Sequence, residues 1–83
     1  QTRITINVKC PSRLNLYIYN ILGQLVKTIA ENEDLVSGKS YVWNGRDSFN
    51  QSVSSGIYFT RAELKERDSN KNQTFTRKLL LLK

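Results

Sequence analysis

The sequence predicts an all-β fold, an antiparallel sandwich of about seven short strands, on three observations. Apolar and polar residues alternate over several short runs, which is the period of a half-buried strand. Turn-forming residues recur between those runs at roughly 8–12 residue spacing. The one segment with a helical face, residues 18–30, is interrupted by Gly23 and is rich in β-branched residues, which argues for two strands around a turn.

Residues 3–9, Arg-Ile-Thr-Ile-Asn-Val-Lys, set Ile4, Ile6 and Val8 on one face, and Cys-Pro-Ser then ends the run. Residues 13–19 repeat the alternation, with Leu14, Leu16 and Ile18 inward and Asn15, Tyr17 and Tyr19 outward. Asn20 to Gln24 is a short connection, and Leu25 to Ile29 completes a hairpin. Residues Ala30 to Ser40 carry the acidic cluster Glu31, Glu33 and Asp34 and are expected to form a loop, with Leu35 tucked back onto the sheet.

The stretch from Tyr41 to Leu64 organises the rest. Tyr41 and Trp43 share a face by the two-residue period, so this aromatic pair either plugs the core or stands exposed on it. Asn44-Gly45-Arg46-Asp47 has the chemistry of a tight turn, and Asp47 is expected to accept backbone N–H bonds there or to pair with a nearby base. Ser48 to Ser55 is a polar loop with a very short edge strand near Val53. In Gly56-Ile57-Tyr58 the Gly-x-Tyr spacing is that of a tyrosine corner, in which the phenol hydroxyl returns to the backbone just upstream and pins a strand crossing. An inward Tyr58 brings Ala62 and Leu64 inward with it. Glu66 to Asn72 is a polar hairpin loop, and Gln73 to Lys83 is the last strand. Its four consecutive leucines, Leu79 to Leu82, do not alternate in polarity. That strand is therefore either covered on both faces or shows apolar side chains that something else must cover.

Eighty-three residues make one domain, 1–83, and a domain of this size buries roughly 60–65% of the surface of its unfolded chain. That leaves little material for an enzyme-sized cleft. The chain has one cysteine, Cys10, and no histidine, so it lacks a disulfide pair, the usual zinc ligands and the commonest general base. Asp47, Glu63, Glu66 and Asp68 come with no nucleophile or phosphate loop, so no enzyme, cofactor or metal is expected. The formal charge of +6 is spread from Arg3 to Lys83. Aromatic residues are not interleaved with a basic cluster, so no nucleic-acid partner is expected. No run of 18 apolar residues exists to make a transmembrane helix.

From Leu14 onward the sequence resembles the type A C-terminal sorting domain of the type IX secretion system, found on cargo proteins of Bacteroidetes. The matching pieces are Leu16-Tyr17-Ile18-Tyr19-Asn20-Ile21-Leu22-Gly23-Gln24-Leu25-Val26-Lys27, Trp43-Asn44-Gly45-Arg46-Asp47, Ser55-Gly56-Ile57-Tyr58-Phe59 and Lys78-Leu79-Leu80-Leu81-Leu82-Lys83. Their order and spacing carry the likeness. Two departures stand out: the Pro-Asn-Pro segment that usually opens such domains is missing, and Asn44 stands where Asp is more usual. The Trp-x-Gly-Arg-Asp and Gly-Ile-Tyr pieces also resemble the immunoglobulin-like domain of flagellar hook-capping proteins.

The resemblance implies an immunoglobulin-like sandwich attached to an upstream cargo domain of a longer secreted protein. It implies a non-catalytic address label that takes the cargo through the periplasm to the cell surface or medium. The implied partners are the secretion translocon, its sortase-like peptidase and surface lipopolysaccharide. Lys78, Leu79, Leu80, Leu81, Leu82 and Lys83 are the expected recognition segment, while Trp43, Gly45, Arg46, Asp47, Gly56 and Tyr58 are the expected structural turn and core. The alternative is a carbohydrate-binding or structural spacer module of an extracellular enzyme, with Tyr17, Tyr19, Tyr41, Trp43 or Phe59 as a stacking surface.

Overall fold

The computed structural model describes residues 2–82, and among them there are six strands and no helix. In chain order they are β1 (Thr2–Ile6), β2 (Ser12–Tyr19), β3 (Leu25–Leu35), β4 (Lys39–Trp43), β5 (Gly56–Glu66) and β6 (Asn72–Leu81). A four-stranded antiparallel sheet in the order β3-β2-β5-β6 packs against a two-stranded antiparallel sheet of β1 and β4. This is a small all-β sandwich, consistent with the immunoglobulin-like class.

The alternating pattern decides which side chains lie between the sheets. β2 is the central strand, paired with β3 on one side and β5 on the other, and its Leu14, Leu16 and Ile18 are fully buried. From β5, Tyr58, Thr60, Ala62 and Leu64 point inward. Across the sandwich Tyr41 and Trp43 of β4 complete the core, with Ile4 and Ile6 of β1 packed on it but only half-buried.

Two sequence-based expectations need correction. Ala30 to Ser40 is not one loop: β3 runs through the acidic cluster to Leu35, opposite Ser12, and β4 begins at Lys39. The extension works because the β2–β3 register shifts between Leu14 and Leu16, the mark of a bulge. Asn32 beside it takes a left-handed φ of 49°, a conformation its type tolerates, and its amide donates to Asn15 Oδ1 at 2.7 Å. The shift turns Leu35 into the core and leaves the carboxylates on the surface, where Asp34 meets Arg13 and Glu33 meets Lys39 and Tyr41.

The expected seventh strand near Val53 is reduced to a single bridge between Arg46 and Ser52. The loop's amides are taken up by Asp47 and, at Ser48, by the carbonyl of Val26 in β3, which leaves little backbone for a ladder. Residues 18–30 form the expected hairpin, closed by Asn20, whose side-chain oxygen accepts from the amides of Leu22 and Gln24.

Candidate functional site

The supporting corner is built on Trp43. Its ring is 1% exposed and meets Tyr58 edge-on, with centroids 5.1 Å apart and an interplanar angle of 72°. A buried indole needs a partner for its N–H, and Nε1 donates to the carbonyl of Arg46 at 2.9 Å. The turn between them is held in place by side chains. Asn44 Oδ1 accepts from the Arg46 amide, and Asp47 Oδ1 accepts from the amides of Phe49 and Gln51, both at 2.9 Å. The Arg46 guanidinium donates to the carbonyl of Asn50, and the Val53 amide donates to the carbonyl of Gly45. Gly45 lies at φ 74° and Gly56 at φ 150°, both regions that a side chain disfavours. Tyr58 Oη donates to the carbonyl of Ser54 at 2.7 Å, the geometry of a tyrosine corner.

This corner positions β6. Residues Gly56 to Lys65 of β5 pair with residues Leu81 to Asn72, so Leu81 lies opposite Gly56 and Leu79 opposite Tyr58. Leu81 is 2% exposed against Ile18, Trp43 and Tyr58, and Leu79 packs half-buried on the same cluster. Leu80 points the other way and is 57% exposed, opposite Ile57, which is itself exposed. Leu82 is exposed as well. The leucine run thus alternates like an ordinary strand, with a buried anchor and an apolar outer face. β6 is also the last strand of its sheet, so no described strand pairs with its outer edge. Lys78 is exposed beside Leu79, while Lys83 lies outside the described residues.

The candidate stacking residues are divided between the two faces. Trp43 and Tyr41 are buried, whereas Tyr17, Tyr19 and Phe59 lie half-buried on the outer face of the large sheet, with Tyr19 opposite Phe59. Tyr17 and Tyr19 are 6.1 Å apart and inclined by 55°, so they do not share a plane.

The titratable groups make structural contacts. Cys10 Sγ donates to Glu66 Oε1 at 2.9 Å, and that hydrogen bond, with burial, pushes the thiol pKa up and away from reactivity. Hydrogen bonds from Lys39 and then Tyr41 hold the Glu33 carboxyl below its ordinary range. Burial, then the hydrogen bond to Glu33, pushes Tyr41 up to about 12. Among the described residues no three His, Cys, Asp or Glu side chains gather as metal ligands. Among the described residues no helix is long and apolar enough to cross a membrane.

A feature that length argued against is an open cleft of about 560 Å³ between β1 and the inner face of β5 and β6. The composition carried no signal for it, because it arises from the unequal strand numbers of the two sheets. No family model, curated protein or solved structure matches this chain.

Proposed function

We propose that this domain is a non-catalytic sorting signal that directs an upstream cargo through the type IX secretion system to the cell surface or medium. One observation supports this most. β6 is an edge strand whose Leu81 is locked in the core while Leu80 and Leu82 stand in solvent. A translocon that adds a strand to this edge gains main-chain hydrogen bonds, and the outward side chains supply selectivity. Lys78 places a charge at the start of the segment, and a single lysine on an edge also discourages pairing between copies.

Residues 1–83 fused to a periplasmic reporter in a host that has the system test this reading. Removing residues 78–83 would take Leu81 out of the core, so the informative variant is Leu80→Ser with Leu82→Ser, which spares it. Surface display of the reporter is expected to fall severalfold while the domain stays folded. Unchanged display of the double variant sinks the terminal-strand mechanism.

A second reading, a carbohydrate-contacting spacer, draws on the outer row of Tyr17, Tyr19 and Phe59. The inclination of the tyrosines weakens it, because sugar stacking needs an open flat ring face. Tyr19→Ala that leaves retention on immobilised oligosaccharide unchanged removes it.

A further inference from the structure

Unequal strand numbers leave part of the sandwich open. β4 lies against β3, and Ile4 and Ile6 of β1 pack on the core cluster containing Leu14, Leu16, Ala62 and Leu64, so the inner face of β6 is covered at its Leu79–Leu81 end, where Leu81 packs under Trp43, and no described strand lies over Phe75 and Arg77. Phe75 points to that inner face yet is 49% exposed, beside the exposed Arg77 and the half-buried Leu79. On the opposite wall, among the described residues, β1 has a strand partner on one edge alone. An open strand edge facing an uncovered apolar sheet face is a place for one more strand.

Charge specifies the occupant further. The lining holds Arg3, Arg77 and Lys78 and no carboxylate. The Arg77 guanidinium has no hydrogen bond or ion pair to any described residue. Strands of facing sheets run within about 30° of each other, so alternate residues of an added strand would meet Phe75, Arg77 and Leu79 in turn. We infer that the cleft between β1 and β6 binds an extended peptide that pairs with β1 and presents an apolar-x-acidic-x-apolar face to Phe75, Arg77 and Leu79. The five residues of β1 offer a ladder about 17 Å long, enough to pair with the five central residues of a heptapeptide. This site uses the β1 edge and the inner face of β6, so it stands or falls apart from the sorting reading.

The probe is the capped heptapeptide Thr-Val-Thr-Glu-Thr-Val-Thr, with the same peptide carrying Lys for Glu as its control. Titration into the isotope-labelled 83-residue chain, followed by amide NMR, is expected to give saturable shifts confined to Thr2–Ile6 and residues 75–79. The Lys peptide is expected to bind about tenfold more weakly. Arg77→Glu, at an exposed position that the core does not use, is expected to reverse that preference. Absence of shifts at millimolar peptide, equal shifts from both peptides, or an unreversed preference in Arg77→Glu would overturn the proposal. So would concentration-dependent dimerisation through β1, which would make a second copy the occupant.

Discussion

The Trp43–Tyr58 corner and the last strand are in contact, yet their side chains are held in opposite ways. In the corner, the polar atoms of Trp43, Arg46, Asp47 and Tyr58 find protein partners within about one turn of chain. Along β6, Leu81 alone is fully buried, Leu80 and Leu82 face solvent, and one edge of the backbone ladder is open. A group already satisfied inside its own fold has little to offer a partner. Unsatisfied edges and exposed apolar side chains are what a partner can use. Stability therefore rests with the corner, and the recognition proposed above uses the strand it holds.

The strongest way to break that division is to truncate one residue from each region. Trp43→Ala removes the largest fully buried side chain and is expected to cost about 3–5 kcal/mol. Total stability for a chain of this size is on the order of 4–12 kcal/mol, so much of it would go. Leu80→Ser is expected to change stability by less than about 0.5 kcal/mol, as exposed positions do. Urea denaturation followed by far-ultraviolet circular dichroism measures both; equal losses would mean that β6 carries the fold as much as the corner does.

A smaller change sharpens the corner itself. Tyr58→Phe keeps the ring against Trp43 and deletes only the bond to the Ser54 carbonyl, at an expected cost of about 1–1.5 kcal/mol. A neutral result in the same denaturation experiment would show that ring packing alone holds the crossing.

A further test is one of pH, at the Tyr41–Glu33 contact. Folding raises the Tyr41 pKa to about 12, above its unfolded value. The stabilisation it contributes is therefore complete below about pH 10 and lost as pH rises toward 12. Glu33 has the opposite sign: its folded pKa is lowered, so its contribution is present above the ordinary carboxylate range and lost as pH falls below it. In melting curves from pH 9 to 12, Tyr41→Phe is expected to flatten the alkaline loss; an unchanged slope would place that loss elsewhere.

Much of the frame was legible because strand burial has a period of two. That period predicts the inward sets of β2 and β5, while turn chemistry places the hairpin at Asn20; it leaves open whether Tyr41 and Trp43 plug the core or stand exposed, and the structure buries both. It failed at residues 30–40, where a polar run is as compatible with a bulged edge strand as with a loop. Only pairing with β2, with Asn32 supplying the turned conformation, separates the two. It also gave no assignment for Leu79 to Leu82, four identical side chains with no internal contrast.

The sequence by itself determined the all-β class, the position of the aromatic turn and the capacity of Asp47 and Tyr58 to bind nearby backbone, since each depends on short-range period or short-range hydrogen bonding. Tertiary structure decided which leucines are anchors and which are surface, because that follows from the register of β6 against Gly56 and Tyr58. It also decided that β6 and β1 keep open edges facing an uncovered strip. Sheet order and the number of strands in each layer are long-range properties, and no local pattern in the chain encodes them.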